Sequence, residues 1–224
     1  MKAIILSAGR GERLRPLTDH TPKPLLKAGK FRLIEYSIIA LAKVGIDEII
    51  INTAYLPEQF PTLLGDGSNY DVKLVYSPEP EGGLETAGGI INALSLLGNE
   101  PFLVVNGDIW TDYPFAPLSK MILSDNTLCH LVFVDNPPHH PAGDFALKSG
   151  LVKTEGHVKY TYSGIGLYHP DLFTGLAVQR YRLKPVFLAA ITKQQISGEV
   201  YQGQWSDIGT VERLNQLNKQ LKTV

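Results

Sequence analysis

The chain has one cysteine, two methionines and two tryptophans in 224 residues. A lone thiol, Cys129, excludes an internal disulfide and a cysteine zinc site. Its place in the apolar segment 128–134 marks it as a buried structural thiol rather than a nucleophile. Long hydrophobic runs are missing as well. The longest unbroken one, 186–191, has six residues, against about 18 for a bilayer span. The apolar stretch 3–6 is too short for the core of a secretory signal. Neither sign of charge prevails: 21 basic and 22 acidic residues give a formal charge of -1. Nothing general therefore draws the chain to nucleic acid or to an anionic membrane. The expectation is a cytoplasmic protein with neither as a partner, in which any bound anion is held locally.

What is present is enough for a large core. With 44% hydrophobic and 19% charged residues, the chain can bury roughly three quarters of its unfolded surface. Short β-branched runs alternate with stretches of helical period, the mark of a mostly parallel sheet covered by helices on both faces. Strands are predicted at 2–6, 48–52, 72–76, 102–106 and 128–134, each nearly continuous in apolar residues, as burial on both faces requires. Helices are predicted at 33–44, 58–64, 86–97 and 117–123. Beyond 135 a Pro, His and Gly loop at 136–143 precedes strand-like pieces at 145–148, 151–154, 157–162 and 165–168, expected to be largely antiparallel. A helix at 185–197, a strand at 199–202 and a helix after Thr210 close the chain. The fold expected is α/β: one Rossmann-like doubly wound domain over 1–224 with a mixed, mostly parallel sheet and a smaller antiparallel part in the second half. Ligands in such sheets bind beyond the carboxyl ends of the strands.

Two segments fall there. The first strand runs into SAGRGERLRPLT, residues 7–18, followed by PKPLL at 22–26. Gly9 and Gly11 permit backbone geometries that a Cβ opposes, so peptide N–H groups can turn toward a polyphosphate, with Arg10, Arg13 and Arg15 adding charge. The plainer alternative is a strand-to-helix turn with solvated arginines. A dinucleotide-binding G-x-G-x-x-G is excluded because Leu14 stands at its third glycine, and Asn52 ends the second strand where a ribose-binding acid belongs. A P-loop is excluded for want of Gly-Lys-Ser/Thr. Lys23 lies between Pro22 and Pro24, whose fixed φ angles aim its side chain from a defined point.

Asn106-Gly107-Asp108 ends the fourth strand, so Asp108 faces the crevice as a hard oxygen ligand of the kind magnesium takes, unless it merely forms a turn. Asp207, in WSDIGT at 205–210, is the candidate partner carboxylate, or else a helix cap.

SAGRGERLRPLTDHTPKPLL, followed in order by NGD and WSDIGT, resembles the signature and the two metal-binding stretches of the sugar-1-phosphate nucleotidyltransferases. The strings LETAGGI, VNGDIWTDY, VDNPPHHPAGDF and SGEVYQGQWSDIGTVERL look most like that family's branch acting on N-acetylmuramate 1-phosphate. The resemblance implies uridylyl transfer from UTP to that sugar phosphate, with Mg2+, in peptidoglycan recycling. It implies small-molecule partners and a monomer or small homo-oligomer. Residues 1–135 become the nucleotide-binding half, and 136–224 the half that binds the sugar phosphate and completes the metal site.

Carried over by position, the catalytic residues are Lys23, Arg13 and Asp108, and the metal ligands Asp108 and Asp207. The nucleotide would meet Ala8, Gly9, Gly11 and Glu12, together with Arg13, Lys23, Thr86 and Gly88. The sugar would meet Asn106, Asp144, Ser163 and Gly164. Ala87 departs from the glycine of the nearest pattern, and guanylyltransferase relatives carry Thr-Ala-Gly here, so the nucleobase stays open. A mannose-1-phosphate guanylyltransferase, a glucose-1-phosphate thymidylyltransferase and a non-catalytic nucleotide-binding subunit are the rival readings. His139 and His140 sit side by side in a Pro-rich loop, where neighbouring rings point apart, so sugar contact is expected of them rather than a shared metal. The carboxylate of an N-acetylmuramate lactyl group needs a cationic donor, and Arg182, or failing it Lys184, is expected to supply it.

Overall fold

The computed structural model describes residues 1–222. Its first part runs β1 (Ala3–Leu6), β2 (Lys27–Ala28), β3 (Phe31–Arg32), α1 (Leu33–Lys43), β4 (Glu48–Thr53) and α2 (Gln59–Leu64). It continues with β5 (Lys73–Pro78), α3 (Glu85–Leu97), β6 (Phe102–Asn106), β7 (Ile109–Thr111), α4 (Phe115–Ser119) and β8 (Cys129–Val134). The second part comprises β9 (Phe145–Lys148), β10 (Leu151–Lys153), β11 (Lys159–Tyr168), α5 (Leu183–Thr192), β12 (Ile196–Val200), β13 (Trp205–Asp207) and α6 (Val211–Lys222).

One nine-stranded sheet carries both parts, in the order β5-β4-β1-β6-β11-β8-β12-β10-β9. The strands β5, β4, β1 and β6 are parallel to their neighbours, as are β8 and β12, whereas β11 runs antiparallel to both β6 and β8. This is the mixed, mostly parallel α/β sheet expected from the alternation of apolar strands and helices. β9 pairs with β10 and also with the start of β11, which makes the second part largely antiparallel.

Successive residues of the central strands are buried on opposite faces. Ile4, Ile50, Phe102 and Val104 pack with Ile90 of α3 and Phe187 of α5. Ile5, Ile51 and Val105 pack on the other side with Ile34 and Ile38 of α1 and Phe60 of α2. Each such side chain contributes about 1.5–3 kcal/mol through burial. A third cluster joins Leu14 of the amino-terminal loop to Ile208, Leu214 and Leu217, docking α6 onto that loop.

The largest departures from the sequence reading are four. The helix predicted at 117–123 is Phe115–Ser119, and that predicted at 185–197 is Leu183–Thr192. In both, the proline is the third helical residue rather than the first; the first turn tolerates it because its N–H groups have no helical partner. The strand predicted at 199–202 is Ile196–Val200, because the chain leaves α5 through Gln194, at φ 57, and pairs Ile196 with Cys129. The pieces predicted at 157–162 and 165–168 form one strand, β11, whose register shifts between Tyr162 and Ile165. Ser163 and Gly164 are the bulge.

Among the described residues no helix is long and apolar enough to cross a membrane. Cys129 is fully buried, and burial pushes its thiol well above the ordinary range. Native protein should therefore leave an aromatic disulfide reagent unreacted over minutes and release one equivalent of thiolate per chain only in denaturant. Rapid labelling of the native protein would contradict this packing.

Candidate active site

The carboxyl ends of β1, β4 and β6 are tied together by side chains. Asn52 Oδ1 accepts the Ser7 N–H at 2.7 Å, while Asn52 Nδ2 donates to Glu79 Oε1 at 2.6 Å. Glu79 Oε2 accepts the Leu84 N–H at 2.7 Å. Burial pushes the Glu79 carboxyl up, and these two hydrogen bonds oppose that rise. Asn52 is thus a strut beneath the crevice. Gly107 donates its N–H to Leu6 at 2.9 Å, and a Cβ there would lie 2.6 Å from Ser7 Oγ.

The loop after β1 is folded by its own residues. Gly11 has φ 70, and a Cβ on it would stand 2.9 Å from Lys23 Cβ; Thr18 Oγ1 donates to its carbonyl at 2.9 Å. Arg10 donates to the Thr18 carbonyl at 3.0 Å and lies 3.9 Å over the Tyr55 ring. Arg15 pairs with Asp19 at 2.6 Å. Two of the three loop arginines thus brace the turn. Arg13 makes no hydrogen bond or ion pair among the described residues and faces the cleft. Lys23 is buried and ion-paired with Asp108.

Two cavities adjoin at this edge. The larger, about 1020 Å³, is walled by the Ser7–Leu14 loop, Lys23, the 81–83 turn and Thr86. The smaller, about 400 Å³, is lined by His139, His140, Asp144, Ser163, Trp205 and Asp207 among others. Arg13, Asn106 and Asp108 belong to both.

Asp207 reaches the junction because β13 pairs antiparallel with β7, setting Asp207 opposite Ile109, and the Ile208 N–H donates to the Asp108 carbonyl at 2.8 Å. Its two carboxylate oxygens each lie 2.6 Å from Arg213 Nη1, and His139 Nε2 is 3.0 Å from Oδ1. His140 turns instead to Asp144, 3.1 Å away, whose other oxygen accepts the Tyr162 N–H at 2.9 Å. The two histidines therefore serve different carboxylates. Ser163 commits its hydroxyl to the Val132 carbonyl at 2.7 Å, and its own carbonyl accepts from Trp205 Nε1 at 2.9 Å. Gly164, at φ 82, leaves room for Asn106, whose Cγ would be 2.6 Å from a Cβ.

Most residues singled out from the sequence meet here. Ala8, Gly9, Gly11, Glu12, Arg13, Lys23 and Thr86 line the larger cavity; Asp144, Ser163 and Asp207 line the smaller. Two do not. Gly88 is buried within α3, where its N–H donates to the Tyr181 carbonyl at 3.1 Å and a Cβ would lie 2.2 Å from the Gln179 carbonyl. Its smallness serves helix-to-loop packing. Arg182 lines neither cavity; its side chain is 80% exposed, 3.9 Å from Glu85 at the start of α3, because α5 begins on that side of the cleft. Lys184 follows it into solvent.

Arg180, in the wall of the larger cavity and 3.2 Å from Glu85, and Arg213 were not anticipated. Arg213 carried one signal: it stands in the first turn of α6, three residues after the Thr210 cap, where a basic residue opposes the helix dipole and calls for an acidic partner.

No group of three or more His, Cys, Asp or Glu suited to a metal occurs among the described residues. The two carboxylates lining the smaller cavity, Asp108 and Asp207, fit magnesium nonetheless, since it takes one or two of them with substrate phosphates and water filling the other positions.

Residues 2–224 match the family model described as Nucleotidyl transferase. The chain is 48% identical over 222 residues to an N-acetylmuramate alpha-1-phosphate uridylyltransferase of Neisseria meningitidis, with 96% of each covered. It is 31% identical over 223 residues to a mannose-1-phosphate guanyltransferase of Schizosaccharomyces pombe, covering 93% of this chain and 61% of that protein. Two solved structures share the fold. An inositol-1-phosphate CTP transferase from T. maritima superposes with a TM-score of 0.80 at 17% identity, over 99% of this chain and 96% of that one. A sucrose-bound Bacillus anthracis protein assigned as a glucose-1-phosphate thymidylyltransferase gives 0.89 at 21% identity, over 100% and 96%.

The packing of Gly88 yields a sign test. Gly to Ala inside a helix ordinarily stabilises by about 1 kcal/mol; Gly88→Ala should instead destabilise by about 1–3 kcal/mol through overpacking. A urea midpoint above wild type would show that the 179–181 segment is not seated on α3.

Proposed function

The chain belongs to the nucleotidyl transferase family, and we propose that it transfers a uridylyl group from UTP to N-acetylmuramate α-1-phosphate, releasing pyrophosphate and UDP-N-acetylmuramate. The observation that carries this reading is that Arg13 and Asp108 line both cavities, with Lys23 paired to Asp108 in the larger and Asp207 lining the smaller. The 48% identity to a relative named for that reaction, over nearly its full length, supports the choice of nucleotide and sugar. Cytoplasmic peptidoglycan recycling is the corresponding setting.

The sugar phosphate already bears an anionic oxygen, so it can attack the α-phosphorus without a general base. The difficulty is to bring two highly negative reactants into line. In this reading the larger cavity takes the nucleotide, with the base toward the 81–83 turn and Thr86. The loop amides and Arg13 receive the β and γ phosphates. Lys23 faces the transferring phosphoryl group and neutralises its growing charge. The smaller cavity takes the sugar between Asn106, Asp144 and the Ser163-Gly164 bulge. Asp108 and Asp207 would hold Mg2+, which would supply positive charge to offset that of the reacting phosphates. Since Arg182 lies outside both cavities, the sugar's carboxylate falls to the ring N–H donors of the smaller one, His139 and His140.

A pyrophosphate-release assay across four nucleotides and a panel of sugar phosphates tests the assignment. The expected optimum is UTP with N-acetylmuramate 1-phosphate, dependent on a divalent cation. Faster turnover of GTP with mannose 1-phosphate would replace it with the guanylyltransferase reading, to which Thr86-Ala87-Gly88 conforms. Asp108→Asn and Asp207→Asn should each lower kcat by about 10²-fold or more with circular dichroism unchanged. Near-normal rates in both would remove the assigned metal ligands.

A further inference from the structure

We propose that Arg213 competes with the divalent cation for Asp207, holding that carboxylate in the nucleotide-free protein and yielding it when the metal binds. The inference rests on the reading of Asp207 as a metal ligand.

The contact geometry sets up the competition. One nitrogen, Arg213 Nη1, lies 2.6 Å from both Asp207 oxygens, so it sits across the mouth of the carboxylate. His139 Nε2 lies 2.6 Å from the same nitrogen. A magnesium–oxygen bond is about 2.0–2.1 Å, and a cation entering that mouth meets the guanidinium head-on. The side chains are 14% exposed for Arg213 and 26% for Asp207, so solvent screens the pair only partly.

Besides Asp207, the guanidinium is held only by the His139 ring, whose nitrogens lie 2.6 and 3.3 Å from Nη1. Arg213 is the third residue of α6, and its side chain folds back over the helix amino terminus. A Cβ on Gly209 would lie 2.1 Å from Arg213 Nη2 and 3.2 Å from Asp207 Oδ2, so glycine makes the backward fold possible. The positive end of the helix dipole repels the guanidinium there. Asp207 offsets that repulsion in the resting protein. Once the carboxylate is engaged elsewhere, Arg213 is poorly held and free to swing toward the anionic occupants of the smaller cavity.

Lys23 and Asp108 repeat the pattern, but Lys23 belongs to the proposed chemistry, so Arg213 provides the cleaner test. Mn2+ binding to nucleotide-free protein, followed by the electron paramagnetic resonance signal of free Mn2+, would be compared in wild type, Arg213→Gln, Asp207→Asn and the double variant. Arg213→Gln should bind Mn2+ about fivefold more tightly, the scale of a partly exposed ion pair. The gain should vanish in the Asp207→Asn background.

Equal or weaker binding by folded Arg213→Gln would overturn the proposal, because Arg213 would then be orienting Asp207 rather than blocking it. A gain that persists without the Asp207 carboxylate would overturn it too, as a general effect of charge. Wild-type affinity in Asp207→Asn would instead remove Asp207 from the metal site, and the proposal with it. Should Arg213→Gln not fold, Arg213→Met removes the charge while keeping an apolar stem of similar reach; it should bind Mn2+ more tightly than wild type, and unchanged affinity would count against the proposal.

Discussion

The antiparallel pairing of Ile109–Thr111 with Trp205–Asp207 spans three residue pairs, yet the whole candidate site hangs on it. Through this ladder a residue near the end of the chain stands beside the carboxyl end of β6. So short a pairing is weak by itself. It is stabilised from below by the cluster of Leu14, Ile208, Leu214 and Leu217, which fastens α6 to the loop bearing Arg13. Hydrophobic burial, not attraction between opposite charges, places the charged groups; electrostatics then works within positions already fixed.

Within those positions every acid at the cavity junction has a basic or imidazole neighbour: Asp108 with Lys23, Asp207 with Arg213 and His139, Asp144 with His140. Among the described residues at that junction, Arg13 is the cation without such a neighbour. A cleft that must accept two multiply charged anions could carry a large standing positive field, at the expense of stability and selectivity. This one keeps its positive charge largely compensated at rest.

The first half of the sheet was legible because β1, β4, β6 and β8 are buried on both faces and so read as unbroken apolar runs. The amino-terminal loop, Lys23, Asp108 and Asp207 were legible because glycine, proline and charge alternate there in a pattern that simple packing does not require. Other features left no such trace. β2, β3, β7 and β13 are two or three residues long and have no periodicity to detect. Pro117 and Pro185 read as helix starts because proline favours the first helical position, although the third is equally free of a donor requirement. The resemblance put Gly88 at the nucleotide, but its neighbour is the carbonyl of Gln179, distant in sequence. Arg182 and Arg213 could not be ranked from the sequence, because only the docking of α5 and α6 decides which of them faces the cleft.

β11 pairs with β6 through Ile165–Tyr168 and with β8 along Thr161–Tyr168, and its bulge abuts Asn106. The sheet strands that border both cavities therefore belong to one continuous lattice of backbone hydrogen bonds, to which the separate β7–β13 pair adds Ile109, Trp205 and Asp207. Adjacent strands keep a spacing of about 4.8 Å, so the separation of the two pockets is a property of the lattice itself. Such a scaffold brings its guests to a preset distance without rigid-body rotation of one half against the other, leaving adjustment to loops and side chains at the rim.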